Sequence, residues 1–299
     1  MTLAKSAALL LVSAVGLVLV LAGCASDTGR RRAELVVGSV PDRGSVLLAD
    51  VYVAALRSYG FAAHSETAVD PMTRLDSGAF TVVPAFTGAT LQALQPDAAP
   101  SGKALSGKAL SGKEVYRAMI AALPEGVTAG DYAMDVEDKP ALALTSATAA
   151  AWGGRDLSEL AGHCAGLTVG AAREPVGPRP PATVGSCRLP EPREFPDAAT
   201  MFGALRAGEV TAAWTSTADP GTPADAVLLA DGKPALIRAE NLVPLYRRNA
   251  LTDMQLLSIN QIAGVLDTAA LVDMRRRVAG GADPQAVADA WLAEHPLGR

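Results

Sequence analysis

Between Glu34 and Gly88 short apolar runs alternate with helical patterns, and this alternation leaves few folds open. Glu34-Leu-Val-Val-Gly-Ser39 is a strand run ending in glycine and serine. Ser45 to Tyr59 follows with Val46, Ala49, Val53 and Leu56 on one helical face, and Gly60 stops it. Phe61 to Glu66 is a second strand, Pro71 to Ser77 a short helix, and Phe80 to Val83 a third strand. A β-α-β-α-β order implies a parallel sheet with right-handed crossovers.

The third strand has the most consequential ending. Phe80-Thr-Val-Val-Pro-Ala-Phe-Thr-Gly88 predicts a buried strand that stops at Pro84 and turns through Phe86, Thr87 and Gly88 into a helix. Proline removes a ladder donor, and glycine permits a tight turn. Ligands of open parallel sheets bind beyond the carboxyl ends of the strands. The stretch therefore reads either as an ordinary strand-to-helix turn or as one wall of a site.

Downstream the alternation resumes. Ser101 to Lys113 is a perfect pentapeptide repeat, too short and too few in copies for a solenoid, and it reads as a duplicated surface loop ahead of a helix from Glu114 to Leu123. Asp138 to Leu144 is a crossing strand into a second α/β lobe. Helices at Ala147–Trp152 and Leu157–Gly162, strand Leu167–Gly170, helix Ala198–Ala207 and strands Val210–Trp214 and Ala226–Leu229 build that lobe. Asn241 to Leu245 crosses back, and three helices finish the chain, the last capped by Asp283-Pro284. The expected division is lobe I at 34–138 plus 241–299 and lobe II at 139–240. Two lobes with two crossings predict a cleft that closes by hinge motion.

The amino terminus predicts export. Lys5 precedes an apolar run from Ala7 to Leu21, and Leu21-Ala-Gly-Cys24 places small residues before a cysteine. That pattern marks a secretory signal over residues 1–23. The cysteine resembles the lipobox of bacterial lipoproteins, whose cysteine becomes the lipidated mature terminus. A membrane span would normally approach about 20 apolar residues. Residues 24–33 read as a tether, with Arg30, Arg31 and Arg32 suited to anionic headgroups. The expected location is the extracytoplasmic face of the cell membrane.

Removing 23 of 299 residues, Lys5 among them, leaves 276 with 25 Lys and Arg against 31 Asp and Glu. That acidic balance argues against nucleic acid as a partner. After Cys24, only Cys164 and Cys187 remain, and two cysteines in an oxidising compartment most often pair. The proline-rich segment between them, from Glu174 to Thr183, would gain most from such closure. His64, His163 and His295 are the only histidines. No nucleophile elbow or metal-ligand spacing accompanies them, so neither an enzyme, a metal nor a cofactor is expected.

Several stretches together resemble the glycine betaine/choline/carnitine-binding proteins of ABC importers. They are Leu35-Val-Val-Gly-Ser39, Leu75 to Gly88, Asp156-Leu-Ser-Glu-Leu-Ala161, Leu228-Leu-Ala-Asp-Gly-Lys233 and Val287-Ala-Asp-Ala-Trp-Leu292. The variant is similar to actinobacterial ProX-like lipoproteins. The resemblance implies a type II periplasmic-binding-protein fold, a small-molecule solute between the lobes, and delivery to an ABC permease with its ATPase subunit. An alternative is the same fold with a divergent cleft for a different small molecule, or a sensor or interaction lipoprotein.

A quaternary ammonium cannot donate hydrogen bonds, so it is held by aromatic faces. A betaine carboxylate wants arginine, hydroxyl or backbone donors. The family's usual Asp-Val-Tyr-Pro-Glu-Tyr-Thr-Gly stands here as Thr81 to Gly88, so Phe86 keeps a ring and Thr87 a hydroxyl, while the acid is lost at Thr81 and the polar groups at Val83 and Ala85. Val40 replaces a lysine, Pro140 or Ala141 a tyrosine, and Asn241 stands where an aromatic residue is common. Arg179 sits where the family often has an arginine for the ligand carboxylate. Trp214, with Thr215 and Ser216, sits at a strand end that supplies an aromatic and hydroxyls.

The resulting ligand-binding candidates are Ser39, Asp42, Phe86, Thr87, Arg179, Trp214, Thr215 and Asn241. Plainer readings stand beside them. Arg179 in a proline-rich loop is more often a solvated charge, while Trp214 reads equally as a core residue and Ser39 as a cap for the next helix. Asp42 is an acid near a strand end that would face a cationic ligand.

Overall fold

The computed structural model describes residues 34–96, 109–173 and 179–298. The apolar leader, the Cys24 lipobox, the tether, most of the pentapeptide repeat and residues 174–178 lie outside the described residues.

The chain opens as β1 (Leu35–Ser39), α1 (Arg43–Ser58), β2 (Ala63–Thr67), α2 (Pro71–Asp76), β3 (Val82–Phe86), α3 (Thr87–Leu94), α4 (Gly112–Ala122) and β4 (Val127–Ala129). Asp42 starts α1 by accepting the Ser45 N–H at 2.9 Å, and Gly60 ends it with φ +80°. The last repeat copy enters a helix instead of remaining in a loop. Ser111 precedes α4, and Glu114 reaches back to accept its backbone N–H at 2.9 Å.

A second set follows: β5 (Pro140–Thr145), α5 (Ser146–Ala151), a 3₁₀ turn at Leu157–Gly162, β6 (Val169–Ala172), β7 (Thr183–Val184), β8 (Cys187–Arg188), β9 (Arg193–Phe195), α6 (Ala198–Arg206), β10 (Ala212–Ser216) and β11 (Ala226–Leu228). The chain then returns through β12 (Leu242–Arg247) and closes with α7 (Asp253–Asn260), α8 (Ile262–Val265), α9 (Thr268–Ala279) and α10 (Pro284–Glu294).

Ten of these strands form two separate five-stranded sheets, giving a two-lobed α/β fold, and β7 pairs with β8 alone. The first has the order β2-β1-β3-β12-β4 and the second β11-β5-β10-β6-β9. β1 pairs parallel with β2 and β3, as the alternating pattern requires. The returning strand β12 makes each sheet's history visible: it lies antiparallel to β3 and to β4, so the first sheet is mixed. In the second sheet β5 runs antiparallel to both β10 and β11.

Pro84 corrects the expected strand end. β3 starts at Val82 and runs through Pro84 to Phe86, with α3 beginning at Thr87. Pro84 lies directly opposite Pro244 on β12. The Thr87 N–H bonds the Asn241 carbonyl at 3.0 Å, so alternation places the two prolines at a non-hydrogen-bonded pair. Neither proline is asked to donate across the pair, and the strand continues.

Core packing follows the strand period. Val82 and Leu242 face the helix α1 side with Val37 and Trp291, while Val83, Val243 and Leu245 face Val115 and Met119 of α4. In the second lobe, Leu142, Leu144 and Trp214 face one core, and Ala143, Ala213, Phe195 and Phe202 the other. Gly38 is the tightest backbone approach. A Cβ there would fall on the Phe80 ring.

Cys164 and Cys187 are joined as a disulfide. Cys187 lies in β8, which pairs with β7 as a small hairpin inside the proline-rich region. Short strands of two or three residues, β7, β8 and β9 among them, carry no pattern that periodicity would reveal.

Candidate functional site

Two crossing segments carry the chain between the sheets and run side by side. Glu137 and Asn241 form an antiparallel bridge, and the Asp138 N–H donates to the Glu240 carbonyl at 2.9 Å. The candidate site is built around these segments, the carboxyl ends of β1 and β3, and the loop that follows β10.

On the first sheet β1 ends at Ser39 and β3 ends at Phe86. Ser39 is buried, and its hydroxyl has no hydrogen-bond partner among the described residues. It does not cap α1, because Asp42 does. Asp42 is exposed, with its carboxylate committed to the Ser45 N–H.

Phe86 is half-buried, its ring at the sheet edge. Thr87 is fully buried, and its hydroxyl accepts the Asn241 N–H at 3.1 Å. Asn241 in turn donates through Nδ2 to the carbonyls of Ala133 at 3.1 Å, Met134 at 3.3 Å and Val136 at 3.3 Å. These two predicted residues come together, and they spend their polar atoms on each other and on the backbone.

The start of α3 has no side-chain cap of its own. Glu240, from the second crossing, supplies one by accepting the Ala89 N–H at 2.7 Å. Its carboxylate packs so close to Gly88 that no Cβ fits there. Burial pushes the Glu240 carboxyl up to about 7, against the opposing pull of the Ala89 N–H and the Arg238 guanidinium.

On the second sheet every residue of β10 is buried, which brings Trp214, Thr215 and Ser216 into the interior. Trp214 lies in the lobe core with Leu142 and Leu144. The Thr215 hydroxyl donates to Asp219 Oδ2 at 2.8 Å and meets the Thr222 hydroxyl at 2.8 Å. Ser216 is buried with an unpartnered hydroxyl among the described residues. Thr217 ties the loop to the first crossing, donating to the Glu137 carbonyl at 2.9 Å and accepting the Lys139 N–H at 3.1 Å. Ala218 then packs into the first sheet's core with Ala133 and Val136. Arg179 is exposed and follows residues 174–178, which lie outside the described residues.

The residue that binds these parts together is Arg275 of α9. Its guanidinium donates to Asp138 Oδ2 at 2.7 Å and to the Ala218 carbonyl at 2.9 Å. Its Cζ lies 6.0 Å from the Phe86 ring centroid. The Arg275 and Asp138 side chains are only 9% and 3% exposed, so the pair is effectively internal. Nearby, Lys139 meets Glu137 at 3.1 Å and Asp231 at 3.3 Å.

Neither Arg275, Asp138 nor Glu240 was among the sequence candidates. Arg275 had a readable signal. Leu271, Met274 and Val278 are the buried face of α9, and Arg275 follows Met274 at the same helical face, four positions from Leu271. An arginine there must find an internal partner. Glu240 and Asp138 carry no comparable pattern.

The family model for the substrate binding domain of ABC-type glycine betaine transport systems matches residues 33–294. Among solved structures, apo YehZ from Escherichia coli superposes with a TM-score of 0.65 at 17% identity, covering 88% of this chain and 99% of that one. A glycine betaine/carnitine/choline ABC transporter structure superposes with a TM-score of 0.69 at 15% identity, covering 88% and 98%. At these identities the superpositions establish the shared fold. No curated protein sequence matches the chain.

Proposed function

Because the chain belongs to the family of substrate-binding domains of ABC-type glycine betaine transport systems, we propose that it is the lipid-anchored solute-binding component of such an importer. Proteins of this family bind small molecules without chemical turnover and work with an ABC permease and its ATPase. In the proposal, a small zwitterionic or quaternary-ammonium osmoprotectant is captured between the two sheets by hinge closure and handed to the permease. Cys24, after Leu21-Ala-Gly, supports the anchor and hence an extracytoplasmic location at the membrane.

One observation carries the reading. The Phe86 ring stands at the carboxyl edge of the first sheet, and a single side chain, Arg275, spans from it to the crossing and to the loop after β10. Solute at that junction would touch both lobes. Ser39 and Phe86 line it, while Asp42, Thr87 and Asn241 hold the surrounding backbone in place and Thr215 ties the Asp219 and Thr222 side chains together.

Thermal shift with glycine betaine, choline, carnitine and proline tests capture. A concentration-dependent rise in unfolding temperature for any of them, lost in Phe86→Ala, is expected, and no response to any would sink the reading. Labelled-palmitate incorporation abolished by Cys24→Ala tests the anchor. A divergent cleft for a different small molecule is the second reading, favoured by the internal commitment of the Thr215 and Asn241 polar groups.

A further inference from the structure

We propose that the cavity at Tyr116, Asp131 and Tyr132 is a second ligand site, outside the inter-sheet junction, and that it takes an organic cation with an apolar body and no carboxylate. The site stands on its own lining residues and does not depend on what the inter-sheet junction binds.

The outer edge of the first sheet builds it. β4 is the last strand in the order β2-β1-β3-β12-β4, so the loop that leaves it starts two strands away from β3, which carries Phe86. In that loop the Asp131 N–H donates to Asn260 Oδ1 at 3.0 Å, which fixes the loop against the end of α7. From α4 the Tyr116 hydroxyl donates to the Gly130 carbonyl at 2.8 Å. Tyr116 and Asn260, which make these two anchors, both line a cavity of about 850 Å³ between the loop, α4, α8 and residues 296–298. Small-molecule pockets span about 300–1,000 Å³, so the space is sufficient.

Its chemistry is one-sided. The Tyr116 and Tyr132 ring centroids are 4.7 Å apart with their planes 32° from one another, so one cation can lie within about 6 Å of both. Asp131 is exposed at the same cavity, and its carboxylate makes no hydrogen bond or ion pair among the described residues. Burial first, and then the Asp131 charge, holds the Tyr116 hydroxyl above its ordinary value, and the same two causes act on Tyr246. The rings therefore stay neutral and stand beside a carboxylate that no cation answers.

The rest of the lining sets the body of the ligand. Met134 is 71% exposed, and Val265 and Leu297 are half-buried around the same space. Among the described residues no lysine or arginine lines the cavity, so a zwitterion would bring its carboxylate to Asp131 with nothing to pair it. An arylalkylammonium ion instead places its charge at the rings and Asp131 and its hydrocarbon against Met134, Val265 and Leu297.

Calorimetric titration of the detergent-solubilised full-length chain with benzylammonium, and with its neutral counterpart benzyl alcohol, tests the site. Wild type is expected to bind benzylammonium about tenfold more tightly than benzyl alcohol, and saturating glycine betaine should not displace it. Asp131→Asn and Tyr132→Leu are each expected to weaken benzylammonium about tenfold. Asp131 is exposed and the asparagine keeps the backbone N–H bonded to Asn260, so Asp131→Asn keeps the fold, with circular dichroism as the check.

Benzyl alcohol bound as tightly as benzylammonium, or an unchanged affinity in Asp131→Asn, would overturn the inference. So would displacement of benzylammonium by glycine betaine, or no binding of benzylammonium by wild type. Each of these results leaves the inter-sheet reading standing.

Discussion

The carboxylate of Glu240 accepts the backbone N–H of Ala89 at 2.7 Å, joining the second crossing to the first turn of a helix 151 positions earlier in the chain. The bond caps α3, and burial raises the carboxyl's proton affinity even so. Its protonation and the integrity of that helix start are therefore linked.

The sign of that linkage is set by the direction of the shift. The folded chain holds the Glu240 proton up to about 7, whereas an unfolded chain releases it near 4.5. Its stabilising effect is complete below the unfolded value and is lost as pH rises through 7. A shift of this size corresponds to roughly 3 kcal/mol. Urea unfolding at pH 5 and pH 8 should show wild type losing more stability than Glu240→Gln between the two. Equal pH dependence in both proteins would exclude Glu240 as the source.

Gly38 has no space for a side chain, because the Phe80 ring occupies the position of its Cβ. Phe80 is itself buried in the core shared with Val83 and Leu245. Gly38→Ala should cost about 3 kcal/mol by forcing the ring or strand β1 aside. Pairing it with Phe80→Leu should recover part of the loss in denaturant titrations, and strict additivity of the two changes would count against this contact.

Asn241→Ala removes the donor to three carbonyls of the 133–136 loop. The Ala133 and Val136 carbonyls keep the Val136 and Leu242 backbone N–H groups, so chiefly the Met134 carbonyl loses its donor and stability should fall by roughly 1–2 kcal/mol. The readout separates two roles. A scaffold residue shifts the urea midpoint, whereas a direct solute contact shifts affinity with the midpoint unchanged.

The Cys164–Cys187 bond closes a separation of 23 residues. Replacing both cysteines with serine should destabilise the chain by about 3 kcal/mol through the larger conformational freedom of the unfolded state. Thermal unfolding of wild type with and without reductant should reproduce the difference, and a reductant-insensitive midpoint would remove the bond from the stability account.

Much of the fold is legible because it is local. Caps need only residues three apart, and Asp42, Asp197, Asp267 and Asp283 each accept the N–H three positions on. The candidate site is legible less far. Trp214 sits at a strand end in the sequence, but all five residues of β10 are buried, so alternation does not tell which side it faces. Pro84 reads as a strand stop until Pro244 is placed opposite it.

What the sequence by itself determines is the order of the longer strands and helices, because apolar period, caps and glycine stops act over a few residues and the two- and three-residue strands show none of these signals. The tertiary structure alone decides which strands become neighbours and which polar groups are consumed. Thr87 meets Asn241 across 154 positions and Arg275 meets Asp138 across 137. Such pairings depend on which surfaces folding brings together, and no local pattern encodes them. The Phe86 ring is evident in the sequence, but the guanidinium beside it follows only from the packing of α9 against the crossing.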